Sequence, residues 1–176
     1  MGGSKVTRFE QTVLPHLRAA YNLAVWLLRN RADAEDVVQE AYLRAFRFFA
    51  GYHGGDSRAW LLTIVRNTSY NWLQKNRSRE LAEPINDEID LIESGGLDPE
   101  AFLIRTEDTE ALRGALDDLP IEFREVVVLR EFEDLSYKEI ATIADIPIGT
   151  VMSRLARARS RLQRQLATRM NKGDSK

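Results

Sequence analysis

Four arginines follow one another at helical spacing near the end of this 176-residue chain, and their type and spacing suit the binding of nucleic acid. An α-helix turns about 100° per residue, so these arginines share one side of a helix with a threonine and a serine. Such a helix fits the major groove of B-DNA, where hydroxyl and guanidinium groups read base edges or hold phosphates. The alternative is a basic, solvent-exposed helix without a ligand. This cationic stripe comprises Thr150, Ser153, Arg154, Arg157, Arg161 and Arg164.

A helix-turn-helix pattern positions the cationic stripe. Ser136 and Glu139 have the spacing of a capping box, which predicts a short helix over residues 137–144. After a break, Pro147 suits the first position of a longer helix that ends near Leu166, with a frayed tail beyond it. The longer helix has a core face on its other side, made of Val151, Leu155, Ala158 and Leu162.

The N-terminal half of the chain reads as three helices that can share one core. Apolar residues recur at intervals of three and four over residues 13–28, 33–49 and 57–77. Asp33 is predicted to cap the second helix, and Pro15 to lie in the first turn or to kink the first helix. Together the three helices predict a bundle. The buried face of the second helix is predicted to hold Val37, Val38, Ala41, Ala45, Phe48 and Phe49.

Polar residues off these core faces mark two further surfaces. Asp36, Gln39 and Glu40 share one face of the second helix, because they lie three to four residues apart. Acids and an amide suit a basic partner helix, whereas compensation of the helix dipole is the alternative for Asp36. A helical enzyme that binds a divalent metal through Asp33, Asp36 and Glu40 is a further hypothesis. The third helix carries Arg58, Arg66, Asn67, Tyr70, Asn71 and Lys75 off its apolar face.

Charge divides the chain into two basic parts and an acidic segment between them. Residues 1–78 hold 11 basic and 6 acidic side chains, whereas residues 79–112 hold 2 and 11. The remaining C-terminal residues hold 12 basic and 10 acidic side chains. We therefore predict an all-α protein of two helical domains, residues 9–78 and 100–170, joined by an acidic flexible linker over residues 79–99.

Composition excludes several classes of protein and site. The chain has no cysteine, which excludes disulfides and thiolate metal sites, and its two histidines, His16 and His53, lie far apart. No apolar run reaches the roughly 18 residues of a membrane span, and residues 1–5 lack the apolar core of a secretion signal. We predict a cytoplasmic protein without a metal, a cofactor or membrane insertion.

Four motifs resemble the sigma-70 family of bacterial RNA polymerase sigma factors. Residues 33–42 (DAEDVVQEAY) and 59–67 (AWLLTIVRN) are similar to region 2 of these proteins. Residues 116–120 (LDDLP) and 149–155 (GTVMSRL) are similar to region 4. The order, the spacing and the short chain resemble the extracytoplasmic-function (ECF) group of the family.

The resemblance implies a subunit that has no catalysis of its own, directs core RNA polymerase to promoters and helps to open the −10 region. Its implied partners are the β′ clamp helices and the β flap of the polymerase, duplex DNA at the −35 element and single-stranded DNA at −10. An anti-sigma factor is a further expected partner. A stand-alone helix-turn-helix transcriptional regulator, which binds duplex DNA without polymerase, is the alternative hypothesis.

In region 2 the resemblance implies two roles. Asp36, Gln39 and Glu40 match the family surface that docks on the clamp helices. Residues 51–56, with three glycines, form a predicted loop that matches the segment cradling an extruded base. Its tyrosine and histidine could supply a stacking ring, or the loop tip could pack on the bundle. The residues expected to hold the −10 strand are Tyr52, His53, Arg58, Arg66, Asn67, Asn71 and Lys75.

In region 4 the resemblance implies direct contact with the −35 element. Met152, Ser153 and Ala156 match the positions that reach bases. Arg154 and Arg157 are expected to hold the DNA backbone. Because Met152 and Ala156 cannot donate a hydrogen bond, contact with a thymine methyl or sequence-dependent DNA shape is expected to carry more of the specificity. The residues expected at −35 are Thr150, Met152, Ser153, Arg154, Ala156, Arg157 and Arg161.

Overall fold

The computed structural model of the chain describes residues 2–76 and 106–173. Every regular element in these two ranges is a helix, which confirms the all-α prediction. The described residues form two compact units. The linker predicted over residues 79–99, and the first residues of the domain predicted over 100–170, lie outside the described ranges.

Four helices build the first unit, with two short 3₁₀ turns between them. Helices α2, α3 and α4 pack against one another, and α1 packs against α4, so the predicted three-helix bundle gains a fourth member. The α-helices are α1 (Gly2–Val13), α2 (Leu17–Leu28), α3 (Arg31–Phe48) and α4 (Ser57–Lys75), and the 3₁₀ turns are Leu14–His16 and Phe49–Gly51.

Pro15 separates α1 from α2, as the predicted kink required. It lies in the 3₁₀ turn Leu14–His16, because its ring cannot be accommodated in the interior of a continuous α-helix. The break turns α1 back so that Phe9, 1% exposed, enters the core of the bundle. Phe9 makes edge-to-face contacts with the rings of Tyr42, Phe46 and Phe49, at centroid distances of 5.0 to 5.3 Å.

The predicted start of α3 was wrong by three residues. Asn30 caps this helix, and its side-chain oxygen accepts a hydrogen bond from the Asp33 backbone N–H at 2.9 Å. The reason is that Arg29, directly after the end of α2, has a left-handed backbone (φ 57°) that turns the chain at once. Asn30 is therefore already in the extended conformation of a cap, and Asp33 lies in the first turn near the positive end of the helix dipole.

Phe48 does not join the core of the bundle, contrary to the prediction. It is 60% exposed, because it is the last residue of α3 and the chain leaves the helical path immediately after it. Phe49, in the following 3₁₀ turn, is buried instead. At the other end of α3, Ala34 is fully buried although the predicted face omitted it.

The second unit contains four α-helices and one π-helical turn. The last helix is the longest, and it packs along both the first and the second helix of the unit. The elements are α5 (Thr106–Asp117), α6 (Ile121–Val127), the π turn Val128–Phe132, α7 (Tyr137–Ala144) and α8 (Ile148–Gly173).

Helix α8 is longer than predicted and begins one residue later. Pro147 precedes the helix, and its carbonyl accepts the first backbone bonds, from the N–H groups of Thr150 and Val151. The predicted frayed tail after Leu166 is wrong for residues 167–173, which are helical. Arg169 ties these last turns to the end of α5 through an ion pair with Asp118 at 2.7 Å.

Candidate nucleic-acid and partner interfaces

The outer face of α3 presents the acidic and amide groups that the sequence singled out. Asp36, Gln39 and Glu40 are all exposed, and they fall within about 100° around the helix axis. Glu40 Oε1 accepts a hydrogen bond from Arg44 Nη2 at 2.7 Å, which orients its carboxylate along the helix surface. Leu43, 63% exposed, lies between Gln39 and Asp36 in the same arc.

Leu43 was missed in the sequence analysis, although helical spacing alone could have found it. We call Asp36, Gln39, Glu40 and Leu43 the α3 face. An exposed leucine among acidic and amide side chains matches the anatomy of a protein interface, in which an apolar centre has a polar rim. Of the described residues, Asp33, Asp36 and Glu40 do not form a group of three able to hold a metal ion.

The loop after α3 is shaped by internal contacts rather than left open. The Tyr52 ring stacks on Phe49 at 5.8 Å between centroids and lies 5.0 Å from the Trp60 ring. Its hydroxyl donates a hydrogen bond to the Gly55 carbonyl at 3.0 Å. Gly54 and Gly55 both have positive φ, 96° and 98°, a conformation that side chains with a Cβ rarely adopt.

Tyr52 therefore packs on the bundle, the alternative that the sequence left open for the loop tip. His53, the next residue, is exposed. Asp56 ends the loop and caps α4, because its side chain accepts a hydrogen bond from the Ala59 N–H at 3.1 Å. The loop is thus held by the Asp56 cap and by the contacts of Tyr52, and the His53 ring is exposed to solvent.

A polar cluster joins the first turn of α4 to the turn between α1 and α2. His16 Nε2 lies 2.9 Å from Ser57 Oγ. Burial lowers the pKa of His16 from its ordinary value of 6.5, the neighbouring Arg58 lowers it further, and Asp56 acts in the opposite direction. His16 is therefore biased toward its neutral form beside the half-buried Arg58.

A line of polar side chains runs along the exposed side of α4. Asn67, Asn71 and Lys75 are exposed and recur every four residues, so they lie on one face of the helix. Arg66 flanks them: its guanidinium lies 3.9 Å from the centre of the Tyr70 ring, and its Nη1 donates to Asn67 Oδ1 at 3.3 Å. Amides, a cation and an aromatic ring thus form one continuous strip on α4.

The first helix of the helix-turn-helix, α7, begins with the predicted capping box. The Glu139 N–H donates to Ser136 Oγ at 3.1 Å, and the Ser136 N–H donates to Glu139 Oε1 at 3.1 Å. Asp145 occupies the position where glycine is more usual and adopts the left-handed conformation, with φ 55°. Aspartate tolerates this region better than most residues, so the turn forms without glycine.

Helix α8 buries its predicted core face and exposes the opposite side. The four core residues are between 0% and 3% exposed. Several members of the cationic stripe, however, are engaged within the unit. The Arg161 guanidinium lies 5.0 Å from the centre of the Phe123 ring, and Arg154 is half-buried. Ser153 Oγ donates to the Thr150 carbonyl at 3.1 Å. Met152, Ala156, Arg157 and Arg164 are exposed.

One arginine outside the stripe fixes α8 to the π turn. Arg159 donates from Nε and Nη2 to Glu131 Oε1, at 3.2 and 2.7 Å. The hydrogen bond that Arg159 donates to Glu131 raises the pKa of the guanidinium above its ordinary value. This contact was missed in the sequence analysis, because 28 residues separate the partners and no local pattern links them.

Two family models match the chain over the two units just described. Residues 12–79 match sigma-70 region 2, and residues 109–162 match sigma-70 region 4. Together these matches include the α3 face, the loop, the polar strip of α4 and the helix-turn-helix. The chain belongs to the sigma-70 family of RNA polymerase sigma factors.

Several relatives of this sigma factor carry names of the ECF group. The ECF RNA polymerase sigma factor SigE of Mycolicibacterium smegmatis is 35% identical over 90% of this chain and 62% of its own length. The RNA polymerase sigma-H factor of Pseudomonas aeruginosa is 31% identical over 90% of this chain and 86% of its own. The ECF RNA polymerase sigma-E factor of Escherichia coli K12 is 35% identical over 76% and 74%. These matches place the sigma factor in the ECF group.

Solved structures agree with the fold of the sigma factor. The sigma factor RpoE from Bartonella quintana, in complex with the anti-sigma factor NepR, has a TM-score of 0.73 and 29% identity, covering 91% of this chain and 97% of that one. CnrH in complex with the cytosolic domain of CnrY has a TM-score of 0.65 at 23% identity, covering 91% and 88%, a likeness of fold alone. None of the described helices of the sigma factor has the length and apolar character of a membrane span.

Membership of this family gives the function of the chain. A sigma factor with regions 2 and 4 directs RNA polymerase to promoters for the initiation of transcription. The family is not known for enzymes. The hypothesis of a stand-alone regulator has no support from the match over region 2, and the resemblance stated from the sequence is confirmed.

Proposed function

We propose that this sigma factor divides promoter recognition between its two units: region 2 binds the polymerase and the opened −10 strand, and region 4 binds the −35 duplex. The observation that carries this division is the α4 strip, which offers amides, a cation and a ring on one face while the apolar residues of α4 serve the core. Amides, cations and aromatic rings are the groups that bind unpaired bases and their phosphates. An intact duplex is instead read by a helix that enters its major groove.

Region 2 docks on the clamp helices through the α3 face. Its charge is acidic and its centre, Leu43, is apolar, so a partner helix with basic side chains around an apolar one is complementary. Glu40 also accepts a hydrogen bond from Arg44 within the chain. A clamp-helix cation therefore has to share this carboxylate with Arg44, while Asp36 is exposed and available for an ion pair across the interface.

The opened −10 strand lies along the α4 strip and the loop before it. Asn67, Asn71 and Lys75 face solvent in a line, with Arg66 beside them and His53 at the loop tip. Amides supply hydrogen bonds to base edges, and Arg66 and Lys75 supply charge for phosphates. Arg58, half-buried next to His16, adds to the positive potential beside the loop.

Tyr52 acts on the −10 strand by holding the loop in shape. Its ring is engaged with Phe49 and Trp60, and its hydroxyl with the Gly55 carbonyl, so it is not available as a free stacking platform. A loop that is already ordered loses less entropy when it receives an extruded base than a loose loop does. His53 supplies the exposed ring at this position.

Region 4 binds the −35 element with α8 in the major groove and contacts the β flap of the polymerase. Met152, Ser153 and Ala156 face the bases, and Arg157 holds the backbone. Thr150, Arg154 and Arg161 lie at one edge of the exposed arc of α8, half-buried or packed on Phe123, and they contact the DNA backbone at the side of the groove.

An anti-sigma factor is the expected negative regulator, and the expected compartment is the cytoplasm, where the polymerase acts. Support for this partner comes from the RpoE structure, which covers 91% of this chain and contains the anti-sigma factor NepR. The whole chain acts as a binding protein rather than as an enzyme.

In vitro transcription with purified core polymerase tests the proposal. Core enzyme is incubated with genomic DNA fragments with and without the full chain, and the 5′ ends of the transcripts are mapped. We expect new start sites that share one −35 and one −10 sequence at a fixed spacing. A set of transcripts that does not change when the chain is added would contradict the proposal, as would sequence-specific duplex binding by the chain that needs no polymerase.

A further inference from the structure

The first turns of α8 expose a line of apolar side chains. Ile148 is 45% exposed and Met152 is 53% exposed, and among the described residues of region 4 no other large apolar side chain is as exposed. Ala156, also exposed, continues the line at the same interval of four residues. Successive members are about 40° apart around the helix and about 6 Å apart along it. We call Ile148, Met152 and Ala156 the apolar line.

Two hydrogen-bond donors beside the apolar line are engaged within the chain. On one side, Arg159 is held by two hydrogen bonds to Glu131. On the other side, the Ser153 hydroxyl is used by the Thr150 carbonyl, and Arg157 begins the charged edge. A Cβ added at Gly149 would meet nothing within 4 Å, so the surface beside Ile148 is open to a close partner.

The positive charge around the apolar line favours DNA, rather than a protein, as the molecule that binds there. Residues 149–176 hold 8 basic and 1 acidic side chains, and Arg157 and Arg164 are exposed on the same helix. This charge complements a phosphate backbone and repels a cationic protein surface. Within the major groove, the apolar group that the bases present is the C5 methyl of thymine.

We propose that Ile148, Met152 and Ala156 read the −35 element through thymine methyl groups, with Met152 as the principal specificity-determining residue. The inference rests on the proposed binding of the −35 duplex by region 4. Because Ile148 and Met152 lie about 6 Å apart and base pairs rise by about 3.4 Å, the −35 element contains thymines within about two base pairs of each other. Their methyl groups, rather than their hydrogen-bonding edges, carry the preference.

Replacing thymine by uracil tests the proposal, since this change removes the C5 methyl alone. Holoenzyme made from core polymerase and the full chain first selects its −35 sequence from a duplex library randomised at that element. Single thymines in the selected element are then replaced by uracil, and the affinity of the holoenzyme is measured by gel shift. We expect each methyl in contact with the apolar line to contribute about 4-fold in affinity, the effect of burying one methyl group.

Met152→Ala and Met152→Gln assign the effect to the side chain. Gln preserves the length of the side chain but is polar, so both variants are expected to bring the thymine-to-uracil ratio at one position to about one. Ile148→Ala is expected to do the same at a neighbouring position. Leu14→Ala is the matched control, because Leu14 is 48% exposed but lies in region 2; it is expected to keep the wild-type ratio. Thermal unfolding verifies that each variant is folded.

The outcomes separate this inference from the proposed function. A selected element without thymine, or one in which every uracil substitution leaves the affinity unchanged, overturns the methyl readout while leaving −35 binding in place. A thymine preference that persists in both Met152 variants and in Ile148→Ala also overturns it. If the holoenzyme starts at specific sites but selects no −35 sequence, the proposed role of region 4 fails, and an apolar protein partner becomes the occupant of this line.

Discussion

Regions 2 and 4 of this sigma factor expose opposite kinds of side chain where each is proposed to meet DNA. Region 2 exposes amides and a lysine in a line on α4, behind which Phe9, Phe49 and Trp60 form a rigid aromatic core. Region 4 ties several of its polar groups to one another and exposes the apolar line on α8 beside exposed arginines such as Arg157. The difference matches the two forms of DNA, because unpaired bases offer hydrogen-bonding edges freely and a closed duplex offers methyl groups in its major groove.

The two regions hold their proposed DNA-binding surfaces in place by different contacts. In region 2, a stack of rings and a single tyrosine hydroxyl fix a glycine loop. In region 4, the ion pair of Arg159 with Glu131 at 2.7 Å fixes the long helix to the π turn. The first solution depends on apolar burial and the second on charge, so salt is expected to weaken the second more than the first.

The largest expected effect comes from changing the α3 face, the proposed docking surface for the polymerase. Asp36→Arg with Glu40→Arg reverses two charges at the proposed interface and leaves like charges opposed. We expect the affinity for core polymerase to fall by about 2–5 kcal/mol, roughly 30-fold or more, measured by fluorescence anisotropy of the labelled chain.

Glu10→Arg with Glu122→Arg is the matched control for this docking prediction. Both glutamates are exposed, lie outside the α3 face and give the same change of charge. An equal loss of affinity in the control would assign the effect to net charge, and an unchanged affinity in the Asp36 and Glu40 variant would remove the docking assignment.

The next effect sharpens the role of the ion pair in region 4. Glu131→Gln removes the charge that holds Arg159 and is expected to cost about 1 kcal/mol in the free energy of opening α8, since Arg159 is partly exposed to water. Hydrogen exchange of the α8 amides measures this change, and Glu122→Gln is the control. Faster exchange throughout region 2, with α8 unchanged, would show that the pair has another role.

A smaller effect is expected from the loop of region 2. Tyr52→Phe keeps the ring stack and removes only the hydrogen bond to Gly55, which is expected to cost about 1 kcal/mol in loop order. The holoenzyme should then bind a single-stranded −10 oligonucleotide several-fold more weakly and bind −35 duplex DNA as before. Unchanged affinity for the single strand would mean that the hydroxyl does not preorganise the loop.

The smallest effect concerns His16 and pH. Burial lowers the pKa of His16 in the folded state below 6.5, so the unfolded chain binds a proton on this side chain more readily than the folded chain does. The free energy of unfolding is therefore unaffected by protonation of this group above pH 6.5. It falls as the pH drops from 6.5 through the pKa of the folded state. His16→Gln should therefore lose less stability than the wild type between about pH 7.5 and 5.5 in urea unfolding. Equal losses in the two proteins would contradict the shift.

The sequence predicted the positions that local chemistry decides. The capping box at Ser136, the break at Pro15 and the buried stripe of α8 depend on residues within one or two turns of each other, and all three are present. The cap of α3 was assigned to Asp33 rather than Asn30, because both are good caps and only the end of α2 decides between them. The roles of the −10 and −35 residues remain predictions.

Contacts between residues far apart in the chain could not be predicted from the sequence. From the sequence alone, Tyr52 is compatible with a free stacking ring. Only the fold brings its ring against Phe49 and Trp60. The pairing of Arg159 with Glu131 depends on how α8 lies over the π turn, a geometry that no periodicity encodes. Phe48 followed the core spacing of α3 and yet lies outside, since the helix ends there.

Crossed variants test the division between the two regions most directly. Holoenzymes that carry Asn67→Ala or Met152→Ala are each measured against a single-stranded −10 oligonucleotide and a −35 duplex from a mapped promoter. The account predicts that Asn67→Ala weakens binding of the single strand and spares the duplex, and that Met152→Ala does the reverse. Equal losses of both kinds of DNA in either variant, or a reversed pattern, would contradict it.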